Sequence, residues 1–345
     1  MRMQRAEQTT GAHIEEDNLV VGVDVGGTKI AAGVVNAQGQ VSGRIKLPTD
    51  TSSVEHTLQA IALSIRSAIQ AAHVPSQRIK AVGLGIPGIV DPAQGVCQLS
   101  VNLGWQHVAV KAWLERELQL PCFIENDVSV AALGEGLYGV GKGQENAVYL
   151  SLGTGIAARA IIHGRLYRGA HGMAGEIGHT VFAPSGPLCR CGARGCLEAL
   201  AAGPALARNA EDKLQRGESS LLEGIMQEQA VADLRAEHVF EAAARDDALA
   251  GQILREAGQH LAYSIYLLAM IFDPQMVVIG GGLAVEGSPL IGATRTGLTH
   301  WMKQAPVFRE MLSQDAVRLA SLQGDAGIVG AAALAIAEAR TRSFL

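Results

Sequence analysis

Apolar and polar positions along this chain fall into short blocks separated by glycine. Residues 19–25 (LVVGVDV) are a β-branched apolar run, Gly26-Gly27-Thr28 interrupts it, and residues 30–35 resume it. Runs of this composition bounded by glycine predict strands joined by a tight turn. Ala37-Gln38-Gly39 turns the chain into a third strand at 41–47. The same unit returns at 147–152, Gly153-Thr154-Gly155, 156–162, His163-Gly164 and 165–168. A repeat of about 130 residues is too long for a solenoid and predicts two related lobes.

Between the two units the period changes. Val54, Leu58, Ile61, Ile65 and Ile69 recur at helical spacing, and Pro75 stops the pattern, so a helix is predicted over 53–72. Residues 79–86 read as a buried strand, 110–118 as a helix and 122–125 as a short strand. Asn126-Asp127 opens a helix over 128–137, with Asp127 as its N-cap. Residues 203–262 are mostly helical, 254–272 continue as an amphipathic to buried helix, and 276–279 form a strand ending in Gly280-Gly281-Gly282. An Ala-rich helix at 327–340 is placed to pack back on the first lobe.

The predicted fold class is therefore α/β: two lobes, each a glycine-tipped β-meander with helices, facing each other across a ligand cleft. The expected division is a disordered tail at 1–18, a small lobe at 19–128 joined by the C-terminal helix 327–341, and a large lobe at 129–326 that contains a cysteine-rich loop at 176–198.

A length of 345 residues accommodates two lobes, and 48% hydrophobic against 18% charged residues excludes global disorder. Aromatics are only 4%, so the cores must rest on Ala, Val, Leu and Ile. A net charge of −5 without a basic run argues against nucleic acid as a partner. The first 18 residues lack the apolar segment of a secretory signal, and the apolar run at 261–272 is too short to span a bilayer. A cytoplasmic protein with no membrane partner, assembled as a homo-oligomer (dimer or tetramer), is expected.

The cysteine-rich loop carries the most specific chemistry. In GEIGHTVFAPSGPLCRCGARGCLE, His179, Cys189, Cys191 and Cys196 form an H-x9-C-x-C-x4-C set. One imidazole and three thiolates suit a closed tetrahedral Zn²⁺ site of the structural type; the alternative is a group of packed thiols. Cys97 and Cys122 are left over, which fits a reducing compartment better than a disulfide framework. Glu176 and Glu198 flank the set and could present acceptors to a polyhydroxylated ligand.

Asp24-Val25-Gly26-Gly27-Thr28-Lys29 ends the first strand in a turn whose backbone N–H groups could cradle phosphate, with Asp24 orienting the water shell of Mg²⁺. The plain alternative is a hairpin turn. The order Gly-Thr-Lys and the lack of a following helix exclude a P-loop. Gly83-Leu84-Gly85-Ile86-Pro87-Gly88 matches G-x-G-x-x-G by letter, but Asp91-Pro92 follows where a dinucleotide site needs a helix. Pro87-Gly88 is read instead as a turn beside a ligand. Glu125-Asn126-Asp127 lies at the end of a strand, where a carboxylate could serve as general base for a sugar hydroxyl or simply cap the helix. Asn102 in VNLGW could bind a hydroxyl or form a turn, and Gly280-Gly281-Gly282 could leave room for a flat base or only redirect the chain. His163 and His171 have no partner spacing and are read as ordinary histidines.

VGVDVGGTKI (21–30), ENDVSVAALGE (125–135), LGTGI (152–156), GEIGH…CRCGARGCLE (175–198) and, more weakly, GGGLA (280–284) resemble, in order, the ROK family of sugar kinases and sugar-responsive repressors, within the actin-like ATPase superfamily that includes hexokinase. The resemblance implies an ATP-dependent hexokinase-type phosphotransferase acting on the 6-hydroxyl of a hexose, glucose first, with an N-acetylglucosamine or N-acetylmannosamine kinase as the alternative. A repressor is disfavoured, because family repressors carry a helix-turn-helix before the first strand and only 18 residues precede Leu19 here. By resemblance Asp127 is the catalytic base, and Gly88, Asn102, Asn126, Asp127, Glu176, His179 and Glu198 contact the sugar. ATP lies against Asp24, Gly26, Gly27, Thr28, Lys29, Gly153, Thr154, Gly155, Gly281 and Gly282, with Mg²⁺ assisting. His179 serves both Zn²⁺ and the sugar, one ring nitrogen for each. After LGTGI this chain has Ala157-Ala158-Arg159 where many members keep glycines, which is expected to tighten the nucleotide side of the cleft.

Overall fold

The computed structural model of the protein describes residues 19–342; the expected tail at 1–18 lies outside the described residues. The first sheet has the order β3-β2-β1-β4-β8, formed by β1 (Leu19–Val25), β2 (Lys29–Val35), β3 (Val41–Pro48), β4 (Ile79–Ile86) and β8 (Cys122–Asn126). β1, β2 and β3 pair antiparallel, whereas β1–β4 and β4–β8 pair parallel. The second sheet repeats this plan as β11-β10-β9-β12-β13, from β9 (Ala147–Leu152), β10 (Ile156–Ile162), β11 (Arg165–Tyr167), β12 (Met276–Gly280) and β13 (Val317–Leu319). Its first three strands are again antiparallel and its last two join in parallel. A small antiparallel sheet, β5 (Ile89–Asp91), β6 (Val96–Ser100) and β7 (Trp105–Val108), is inserted between β4 and β8, where no strand was expected from the sequence.

Helices cover both faces of each large sheet, which is why the central strands read as continuous apolar runs instead of alternating. On the first sheet, Val21, Val23 and Val25 face α1 (Val54–Ala71) and α2 (Val110–Leu118) through Leu58, Ile61, Ile65, Val110 and Leu114. The opposite face, Val20, Val35, Ala81 and Phe123, is covered by Ile328, Ala331, Ala332 and Ala335 of α11 (Ala326–Arg342). Edge strand β3 is covered on one face only and alternates accordingly. The second sheet buries Val148, Leu150 and Leu152 against a helical layer of α4 (Leu197–Ala201), α5 (Gly203–Gln215), α6 (Leu222–Gln229), α7 (Ala236–Ala244), α8 (Ala248–Phe272), α9 (Pro289–Gln304) and α10 (Pro306–Met311). Each fully buried Val, Leu or Ile in these layers contributes roughly 1.5–3 kcal/mol.

α3 (Asp127–Tyr138) belongs to both halves. Val130 packs in the cluster under the first sheet, while Ala132 packs with Tyr149, Met276 and Val278 of the second. Its far end is tied by the buried Glu135, which accepts from Leu322 N at 2.7 Å and from Val140 N at 3.1 Å. The N-terminus of α3 is thereby fixed between the sheets.

Candidate active site

The N-terminus of α3 corrects one expectation. Asn126, not Asp127, is the N-cap: its Oδ1 accepts from Val128 N at 3.1 Å and Ser129 N at 3.2 Å. Asp127 is the first helical residue, so its carboxylate is left to face the space between the sheets. Its Oδ1 accepts from Val128 N at 2.9 Å and from Asn126 Nδ2 at 3.0 Å. Burial pushes the Asp127 carboxyl above the ordinary range, the Val128 N–H and the Arg159 charge oppose that shift, and Glu176 adds to it. Asn126 Nδ2 also donates to Gly88 O at 3.0 Å, which joins the Pro87-Gly88 turn to the same corner.

The segment carrying Glu176 and His179 lies directly along β10. Ala158 N donates to Gly175 O at 2.7 Å. A Cβ at Gly175 or Gly178 would fall 2.0 Å from Ala158 O or 2.1 Å from Ile156 O, so the spacing G-E-x-G-H lets the backbone rest on the strand and turns Glu176 and His179 outward. Glu198, in the first turn of α4, accepts from Ile156 N at 3.2 Å and so sits against the second glycine turn. Asn102 sits against the first: a Cβ on Gly27 would lie 3.0 Å from Asn102 O.

Behind Glu176, the ligand atoms of His179, Cys189, Cys191 and Cys196 lie within 4.8 Å of one another. The Cys191–Cys196 Sγ pair is 3.6 Å apart and Cys189 Sγ lies 3.7 Å from His179 Nδ1. Tetrahedral Zn²⁺ with bonds of about 2.3 Å to sulfur has ligand–ligand edges of about 3.8 Å, so the donor set and its spacing fit that ion. The separation is far too long for a disulfide, and burial together with the neighbouring sulfurs pushes the Cys196 thiol upward, so a central cation is what would hold it as a thiolate. With Nδ1 turned to the sulfurs, Nε2 of His179 is the nitrogen left for a ligand.

Between the two sheets a cleft of about 960 Å³ is lined by Asp24, Lys29, Arg44, Lys46, Tyr149, Gly281 and Gly282, among others. The turn tips Gly26-Gly27-Thr28 and Gly153-Thr154-Gly155 are not part of that lining. They are closed hairpins, with Gly26 N donating to Lys29 O at 2.9 Å and Gly153 N to Gly155 O at 3.0 Å, and Thr28 and Thr154 are exposed at their ends. Asp24 is raised to about 6 by burial and then by the Asp127 charge, with Lys29 opposing. The two carboxylates, Asp24 in β1 and Asp127 directly after β8 of the same sheet, therefore feel each other.

Two features of the site were missed in the sequence. Arg168 Nε donates to the buried Glu125 at 2.6 Å. Arg159, expected to crowd the nucleotide side, donates to Asn126 Oδ1 at 3.2 Å and to Glu176 Oε1 at 2.8 Å. The available signal was an arginine inside the apolar strand IAARAII, which requires buried acceptors.

The family model described as "ROK family" matches residues 20–338. The chain is 36% identical over 324 residues to a glucokinase of Streptomyces coelicolor, covering 92% of this chain and 97% of that protein. It is 31% identical over 319 residues to an N-acetylmannosamine kinase of Escherichia coli, covering 92% and 98% respectively. Among solved structures, a ROK family glucokinase from Streptomyces griseus in complex with glucose and AMPPNP superposes with a TM-score of 0.78 at 34% identity, covering 93% of this chain and 100% of that one. The two repeated sheets are thus the two-lobe actin-like ATPase fold. No helix among the described residues is long and apolar enough to cross a membrane.

Proposed function

The chain belongs to the ROK family, and from that premise we propose that it is an ATP-dependent glucokinase, transferring the γ-phosphoryl group to the 6-hydroxyl of glucose. The observation that carries this reading is the convergence at one corner of α3: a carboxylate made more basic by burial, a polar rim on the Glu176 side, and a glycine-lined cleft behind Asp24. Similarity to glucokinases along nearly the whole chain supports it.

A sugar hydroxyl is a poor nucleophile at neutral pH. Asp127 accepts its proton as the oxygen attacks the γ-phosphorus; the bond from that phosphorus to the β,γ-bridging oxygen breaks, and ADP leaves with the electron pair. Gly88, Asn102, Asn126, Glu176, Glu198 and Nε2 of His179 hold the hexose in orientation. The turns at Gly26-Gly27-Thr28 and Gly153-Thr154-Gly155 offer backbone N–H groups to the phosphates, Lys29 adds charge, and Gly281 and Gly282 leave room for the nucleoside. Mg²⁺, with its water shell held by Asp24, would neutralise developing phosphate charge, and Zn²⁺ on His179, Cys189, Cys191 and Cys196 would fix the loop that presents Glu176. The working form is a homo-oligomer, dimer or tetramer.

A coupled ADP-release assay with ATP over glucose, mannose, fructose, N-acetylglucosamine and N-acetylmannosamine tests this. The highest kcat/KM is expected with glucose. Preference for an acetamido sugar would replace the reading by an N-acetylhexosamine kinase, and no ADP release with any of the five would remove it.

A further inference from the structure

The returning strand of the second glycine hairpin carries a residue that neither phosphate nor sugar binding accounts for. Arg159 is 4% exposed, yet its guanidinium is saturated. Nε donates to Ser129 Oγ at 3.1 Å, Nη1 to Ala158 O at 2.7 Å and Ala174 O at 3.2 Å, and Nη2 to Asn126 Oδ1 at 3.2 Å and Glu176 Oε1 at 2.8 Å. Taking a cation out of water is costly, and an apolar side chain would fill the same space without that cost. The acceptors explain its presence. They are the cap and first turn of the helix that bears Asp127, the backbone just before Gly175, and Glu176 itself.

We propose that Arg159 is a positioning residue for phosphoryl transfer, holding the Glu176 carboxylate in register with the N-terminus of α3 so that the hexose rim and the base keep one geometry. The proposal rests on the hexose-kinase reading above. Asn126 and Glu176 lie on different elements, and no hydrogen bond joins them directly among the described residues; Arg159 joins both through the same nitrogen. Its other two nitrogens at the same time hold Ser129 Oγ and the Ala158 and Ala174 carbonyls, and a lysine, with one nitrogen at the end of a flexible stem, would reproduce the charge but could not hold all five acceptors. Charge is the second part of the role. Asp127 faces Asp24 from β1, Tyr149 from β9 and Glu176 from the loop, and Arg159 is the cation set against them. Without it, the proton on Asp127 would be held more tightly, and the base would ionise only at higher pH.

The test is steady-state kinetics of Arg159→Met and Arg159→Lys with glucose and ATP across pH 5 to 9, beside the wild type and Glu176→Gln. For Arg159→Met, kcat/KM for glucose is expected to fall about ten- to hundredfold, as for a misplacement of about 1 Å. The ATP KM should stay within about twofold, and the acidic limb should move to higher pH. Arg159→Lys should restore the limb while the glucose KM stays raised. Adding Arg159→Met to Glu176→Gln should cost much less than it does alone. Thermal melts report the folded fraction; if the Met variant does not fold, the Lys variant decides by its glucose KM against its ATP KM. Glucose and ATP parameters unchanged, or falling together in proportion to folded protein, with an unmoved limb, would overturn the role. A wild type inert toward every hexose would instead remove the kinase reading and this proposal together.

Discussion

The two large sheets share a strand order, and each begins with a glycine-tipped hairpin, yet the hairpins are supported differently. The first is flanked by its own charges, Asp24 before the turn and Lys29 after it, both on the wall of the cleft. The second has no charge at the turn. Glu198 reaches it from α4, and the strand that leaves it carries Arg159 toward Asn126 and Glu176. After β3 the chain enters α1 within a few residues, whereas the loop following β11 folds back along β10 and brings Gly175, Glu176 and His179 with it. A repeated topology therefore supplies two similar cradles, and what is attached to each decides its chemistry. In the proposed reaction the first hairpin would serve phosphate and its counter-ion, and the second would be anchored to the loop that meets the hexose.

Substitutions at the two hairpins should separate along that line. The largest effect is expected from Asp24→Asn, with turnover falling on the order of a hundredfold or more as the oriented charge is lost. The same change should stabilise the ligand-free protein. The folded-state value of Asp24, about 6, lies above the ordinary value of 3.8, so ionisation opposes folding above pH 6 and that cost vanishes as the pH falls toward 4. At 1.36 kcal/mol per pKa unit, the gain at neutral pH is on the order of 1–3 kcal/mol, read from denaturant melts at pH 7.5 and 4.5. An equal gain at both pH values would contradict the upward shift that burial, and then the Asp127 charge, impose on Asp24. Next in size, Cys196→Ser should leave well under one Zn²⁺ per chain by metal analysis and raise the glucose KM about tenfold, with less change for ATP; a metal-free protein with wild-type glucose KM would refute the cluster's role. The smallest effects come from the turns. Gly27→Ala presses on the backbone oxygen of Asn102, which gives way poorly, and should cost about 1–2 kcal/mol of stability. Gly155→Ala meets the Glu198 carboxylate at 2.7 Å, so the flexible side chain should move, leaving stability within about 1 kcal/mol but raising the glucose KM. Identical behaviour of the two alanines would erase the distinction between the hairpins.

Local pattern made much of this legible. Val and Ile runs around Gly26-Gly27 and Gly153-Thr154-Gly155 identify the hairpins, and the spacing of His179, Cys189, Cys191 and Cys196 identifies the metal set, because short-range chemistry dictates both. The small sheet was not legible: Ile89–Asp91, Val96–Ser100 and Trp105–Val108 are strands of three to five residues defined by their pairing more than by an apolar run. The helix Pro289–Gln304 carries its signal locally, in a Ser288 cap followed by proline. Asn126 and Asp127 are both good caps by residue type, and only the geometry decides between them. Arg159 was visible as an anomaly, but its partners Asn126 and Glu176 are 33 and 17 residues away, and folding alone brings them together.

In the proposed reaction one carboxylate, that of Asp127, takes the proton of the attacking hydroxyl. Asp127→Asn, assayed for ADP release with glucose and, by calorimetry, for glucose binding, tests it most directly. The expected result is a fall in kcat of about 10²- to 10⁴-fold with the glucose Kd within a few-fold of wild type. A variant that turns over at the wild-type rate while still binding glucose would contradict it.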